Sequence, residues 1–241
     1  MRALRAQLFA ELLLASRRGE SVLVTLVIPA ALLLFFSAVP LVPVAGEVPV
    51  AFLLPGTIGL AVIATAFVSL GIATAYERHY GVLKRLGGSP LPRPTFIAAK
   101  ALAVLVIELV QLAVLVAAAL ALGWRPGGDP LVVAAALLLG TGAFAGLGLL
   151  LAGTLRAELT LAVTNGLFLG FLLLGDIVVP LSRLPEPLAT VSRWLPATTL
   201  ADALREGLTP GAPLPWADLA PLAAWAVVAL GAAAFTFRVE E

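Results

Sequence analysis

Apolar residues dominate six long stretches of the chain, and polar or turn-forming residues collect between them. The stretches run approximately 22–42, 50–75, 96–122, 131–154, 160–180 and 217–237. A helix that crosses the hydrocarbon core of a bilayer needs roughly 20 predominantly apolar residues, and each stretch reaches that length. The breaks carry the residues that stop helices: Pro43 to Pro49, Glu77 to Pro94, Gly123 to Pro130, Arg156 with Glu158, and the proline-rich 182–215 segment. The pattern predicts an all-α, polytopic membrane protein with six transmembrane helices. An N-terminal interfacial helix (1–20), a short cytoplasmic helix within a loop spanning 76–95, and short external re-entrant helices (182–215) complete one transmembrane domain over 1–241. Pro29 and Pro55 fall inside spans, where neighbouring helices can satisfy the backbone they disrupt.

Composition agrees with that reading. The 241 residues are 61% hydrophobic and 12% charged, whereas soluble domains run at about 25% charged. A net charge of +1 gives no footprint for nucleic acid. With no cysteine, disulfides, zinc–thiolate sites and a cysteine nucleophile are excluded. Abundant Ala, Leu, Gly, Pro and Arg suggest a bacterial source.

Placement of Lys and Arg predicts orientation. Arg2, Arg5, Arg17, Arg18, Arg78, Lys84, Arg85, Arg93, Lys100, Arg156 and Arg238 fall on one side, and Arg125, Arg183, Arg193 and Arg205 on the other. Both termini are therefore expected in the cytoplasm, with the chain in a bacterial inner membrane. The N-terminal arginines spread over a stretch broken by Glu11, and no small-residue cleavage site follows the first apolar run, so that run reads as a retained span and not as part of a signal peptide. Gly142 and Gly146 in the fourth span, and Gly166 and Gly170 in the fifth, form GxxxG pairs that suit close helix packing. Packing within the chain is expected over a dimer contact.

The segment after the second span, YERHYGVLKRLGGSPLPRP, reads as a short amphipathic helix over Tyr76 to Leu86. At about 100° per residue, Tyr76, Tyr80 and Leu83 share one face, Glu77 and Lys84 a second, and Arg78 and Arg85 a third. Gly87, Gly88 and three prolines end it. A basic anchor at the lipid surface needs no such tight exit, so the segment reads as a coupling helix that docks into a cytoplasmic partner.

The pattern Glu77-Arg78-x-x-Gly81-x-Leu83-Lys84-x-Leu86-Gly87-x-Ser89-Pro90 resembles the loop between the second and third spans of type-2 ABC exporter permeases, the group with daunorubicin-resistance and sodium-efflux permeases. The basic N-terminal helix is similar too, as are Trp194-Leu195-Pro196 and Asp202-Ala203-Leu204-Arg205 in the external segment, and the likeness covers nearly the whole chain. The resemblance implies two permease copies, as a homodimer or with a related permease, paired with two ABC ATPase subunits. ATP and Mg would then be bound by the partner, with no cofactor on this chain. It implies that Tyr76, Glu77, Arg78, Tyr80, Gly81, Leu83, Lys84 and Arg85 transmit nucleotide-driven closure, and that Trp194, Pro196, Asp202 and Arg205 belong to an external gate.

The external segment divides into helices over Leu188–Leu195 and from Thr199 to Gly207, the second opened by a Thr199–Asp202 capping box. Glu108, Gln111, Asn165 and Asp176 are the polar residues at membrane depth and the candidates for a substrate path. Asn165 also suits interhelical hydrogen bonding. His79, the sole histidine, lies in the loop, so a membrane-embedded Ser–His protease lacks its base. No acidic or histidine cluster has metal-ligand spacing, and GxxxxGK[ST] is absent, which excludes the usual phosphate loop. The expected function is a non-catalytic permease moving a hydrophobic or amphipathic substrate outward. A stand-alone secondary transporter using Glu108, or a membrane scaffold, are the alternatives. Secondary carriers often carry two related halves, and no such repeat is present here.

Overall fold

In a computed structural model of the chain, the described residues are 2–17, 19–38, 49–82, 93–177 and 180–237. Among them the ordered elements are helical and none is a strand. Helix α1 covers Arg2–Arg17 and α2 covers Gly19–Ala38. The next helix is unbroken but changes winding: α3 at Pro49–Val62, a π-helical turn and a half at Ile63–Ser69, and α4 at Leu70–His79. Then follow α5 at Arg93–Ala121, α6 at Pro130–Thr154, α7 at Ala157–Leu174, a 3-10 turn at Leu181–Arg183, α8 at Glu186–Ser192, α9 at Pro196–Leu208 and α10 at Trp216–Thr236.

Five helices among the described residues are long and apolar enough to cross a membrane: Val50–His79, Thr95–Ala121, Pro130–Thr154, Ala157–Leu174 and Trp216–Thr236. Thr25–Ala38 is a shorter apolar stretch within α2, and the expected first span continues beyond Ala38 into residues outside those described. The chain is a multi-pass, all-helical membrane protein.

Two boundaries differ from expectation. The fifth span stops at Leu174 rather than near Pro180, because Gly175 ends the helix and Asp176 takes a left-handed conformation with φ 54°. Within the described residues the expected helix over Tyr76 to Leu86 is interrupted, and Leu83 to Leu86 lie outside them. Tyr76–His79 is the end of the span's own helix, which closes on Tyr80, and Gly81 turns away with φ 69°.

Lipid offers no hydrophobic drive between helices, so close packing and hydrogen bonds hold the bundle together. The most extensive contact joins α6 to α10. A Cβ on Gly142 would lie 3.2 Å from Ala226 Cβ, and one on Gly146 would lie 2.6 Å from Leu230 N. The GxxxG pair of the fourth span thus packs within the chain, as expected. Gly166 and Gly170 differ: among the described residues of other elements, nothing lies within 4 Å of where their Cβ atoms would be. At the centre Phe67, Phe144 and Phe171 meet edge to face, with centroids 5.4–6.3 Å apart.

At one end of the bundle Asp129 caps α6 by accepting from Leu131 N at 2.8 Å, with Pro130 in the first turn. Gly128, at φ 85°, lets the chain pass Gly207, whose carbonyl accepts from Asp129 N at 3.0 Å. The end of α9 is thereby fixed to the start of α6. Helix α1 packs at the opposite end, against α5.

Candidate functional site

At the α1 end, α4 carries Glu77 and Arg78 on successive positions, and both are buried. Lys100, 2% exposed on α5, donates to Glu77 Oε2 at 2.8 Å and to Glu11 Oε2 at 3.0 Å. Glu11 in turn accepts from Gln7 at 2.9 Å. One ammonium therefore joins α1, α4 and α5, and it lies 5.1 Å from the centroid of the Phe96 ring. Arg78 donates to the carbonyl of Leu155, which closes the end of α6. Glu77 and Arg78, expected to face a partner, are instead buried within the chain.

The exposed tip beyond them is aromatic. Tyr76 and Tyr80 stack with centroids 6.0 Å apart, and His79 meets Tyr80 edge-on at 5.2 Å. Tyr80 is 69% exposed. The one-face placement of Tyr76 and Tyr80 holds, and Leu83, Lys84 and Arg85 lie outside the described residues.

Farther into the bundle, Gln111 makes a polar knot. Its amide donates to Thr65 Oγ1 at 3.0 Å and to the Thr25 carbonyl and hydroxyl at 3.2 Å, which joins α2, the π-wound stretch and α5. Glu108, on the same helix, accepts from the Thr141 hydroxyl of α6. Its Oε1 has no hydrogen-bond partner among the described residues.

A cavity of about 680 Å³ opens between α1, α2, the second long helix, α5 and α7. Thr25, Thr65, Ser69 and Asn165 give it hydroxyl and amide groups, Tyr76, Glu77 and Lys100 lie toward the α1 end, and the remaining wall is chiefly aliphatic. Polar groups at one end and apolar walls elsewhere suit an amphipathic ligand. Asn165 is exposed and hydrogen-bonds only its own helix, at Leu161 O, so it does not join helices within the chain. Neither Glu108 nor Gln111 lines this cavity.

At the other end Arg205 of α9 donates to Asp176 Oδ2 at 2.7 Å, to the Asp176 carbonyl at 3.2 Å and to Asp202. Asp176 also accepts from Leu181 N at 2.8 Å, which ties down the turn after α7. Burial pushes Asp202 up to about 6; the Arg205 charge opposes this, while Asp176 and Asp218 add to it. Asp176, expected on a substrate path, thus joins Asp202 and Arg205 in the cluster at this end of the bundle. Trp194 is exposed and its carbonyl accepts from Trp225 at 2.9 Å. Pro196 is buried and begins α9, so the expected Thr199–Asp202 capping box is not formed. Thr199 instead donates back to Leu195 and Pro196 carbonyls, because proline already opens the helix three residues earlier.

Sequence reasoning missed Glu11, Thr25, Thr65, Lys100 and Thr141 as partners. Lys100 was visible only as a positive charge flanking a span, and the three threonines carry no local mark of pairing.

No curated protein matches the chain. The family model for ABC-2 type transporters matches residues 2–209, from α1 through α9. With its spans, its aromatic tip and its short helices α8 and α9 so arranged, the chain belongs to the ABC-2 type transporter family, as a transmembrane permease.

Proposed function

We propose that the chain is the permease of an ATP-driven exporter, working with a separate ABC ATPase subunit and a second permease copy. Six spans place both termini in the cytoplasm of a bacterial inner membrane, and the exported cargo is hydrophobic or amphipathic. The observation that carries this reading is the tip at Tyr76–Gly81. It is an exposed aromatic surface at the end of the span that also walls the cavity. A push on Tyr80 is thereby delivered to the cavity wall through one continuous helix. Tyr76, Tyr80 and Gly81, with Leu83, Lys84 and Arg85 following, supply the docking surface. Glu77 and Arg78 support it from inside. The external cluster of Asp176, Asp202 and Arg205 stands as the outer gate, beside Trp194 and Pro196.

Family membership supports an ATPase partner, and the test is recovery of that partner. Co-expression with the ABC ATPase encoded beside it should yield a detergent-stable complex with equal numbers of the two subunits. In liposomes, its ATP hydrolysis should rise with an amphipathic cargo. Purification of the permease without any ATPase, or cargo movement independent of ATP, would count for the stand-alone transporter instead.

A further inference from the structure

The second long helix departs from α-winding at its middle, and nothing local compels it. Ile63–Ser69 contains neither glycine nor proline, yet winds as a π-helix. Such winding is rare and recurs at functional positions. Two neighbours hold it. On one side Gln111, itself 2% exposed, exchanges hydrogen bonds with Thr65 at 3.0 and 3.2 Å and reaches α2 through Thr25. On the other side α6 presents Gly148, where a Cβ would lie 2.7 Å from the Phe67 carbonyl and 3.2 Å from that of Ala66. Only glycine permits so close an approach to these carbonyls. Gly71 completes the crossing: its Cβ would lie 3.2 Å from Gly148 O.

Below that crossing, α4 leads to the aromatic tip. Above it, α3 packs against α2, α5 and α9. The cavity is walled by the π-wound residues Ala64, Thr65, Val68 and Ser69, and by Ile72, Ala73 and Tyr76 of α4.

We infer that Ile63–Ser69 is the hinge of a lever. Leu70–His79 is the moving arm, Gly148 is the fulcrum, and Gln111 is a positioning residue that sets the resting winding through Thr65. A change from π- to α-winding in this stretch rotates the arm about the helix axis relative to α3, because the angular advance per residue differs between the two windings. The Tyr80 tip and the lower cavity wall move together while the outer half keeps its packing. The inference rests on the proposed docking of an ATPase at the tip.

The test uses the reconstituted permease–ATPase complex. In the cysteine-free chain, spin labels at His79 and Leu131 report the arm, and labels at Ala51 and Leu131 report the outer half. The His79–Leu131 distance should change by several ångströms between the nucleotide-free and vanadate-trapped complexes, and the Ala51–Leu131 distance should not. Gln111→Leu and Gly148→Ala should retain ATP hydrolysis while cargo exported per ATP falls about fivefold or more. A structural role alone would lower abundance and leave that ratio unchanged. If the ATPase binds and traps nucleotide, yet both distances change together or neither changes, the hinge is wrong and the docking reading stands. A wild-type ratio in both variants is equally fatal to the hinge. Failure of the ATPase to bind overturns the reading and the hinge with it. Should either variant not fold, the distances alone decide.

Discussion

Replacing Lys100 with alanine is expected to be among the most damaging single changes in the chain. The ammonium is 2% exposed and serves two carboxylates, Glu77 and Glu11, at 2.8 and 3.0 Å. Its removal takes away the ammonium that Glu77, which is buried, shares with the half-buried Glu11. Breaking a buried ion pair by deleting one partner costs about 3–5 kcal/mol, because the remaining charge is uncompensated. The loss should appear as a large fall in melting temperature in detergent and in membrane abundance. Neutralising the carboxylates in the triple variant K100A/E77Q/E11Q should recover much of it. A Lys100→Ala protein as stable as the wild type would show that the network does not hold α1, α4 and α5 together.

Gly146→Leu should be nearly as severe, for a steric reason. The first added carbon would already stand 2.6 Å from Leu230 N and 2.7 Å from the Ala229 carbonyl carbon, so backbone must move. Overpacking of this kind costs about 1–3 kcal/mol, and more where backbone cannot yield. This position lies in the most extensive helix contact of the chain, between α6 and α10. Gly166→Leu is the control, since none of the described residues of other elements lies within 4 Å of that site. Melting curves of the isolated permease should show a lower transition for the first variant and little change for the second. Equal behaviour of the two would contradict the packing described.

The two glycine pairs show what a sequence can and cannot convey. Both have the same spacing, yet one lies against Ala226, Ala229 and Leu230 and the other meets no other element among the described residues. Spacing gives the small face but not its neighbour. Span positions were legible because each needs an uninterrupted apolar run, and the observed helices follow those runs closely. The early end of the fifth span was less so, since Ile177 to Pro180 remain apolar after Asp176 turns the chain. Pro196 could have been read as a helix opener, and the more conspicuous Thr199 was preferred.

The site divides the same way. Stacking of Tyr76 and Tyr80 follows from their i, i+4 spacing on one helix face. Burial of Glu77 does not, because its partner Lys100 is 23 positions away on another helix. The π-winding at Ile63–Ser69 left no trace in a run of ordinary apolar residues. It arises from Gln111 and Gly148, which are tertiary neighbours.

The central claim is that this permease meets its ATPase through the Tyr76–Gly81 tip, and site-specific cross-linking tests it most directly. A single cysteine at Tyr80, in the cysteine-free background, should cross-link to the ATPase in native membranes and should do so differently with and without nucleotide. A single cysteine at Thr209, beside the external cluster, should give no such product and should react with an impermeant thiol reagent from outside the cell. Cross-linking from Thr209 with none from Tyr80 would contradict the account.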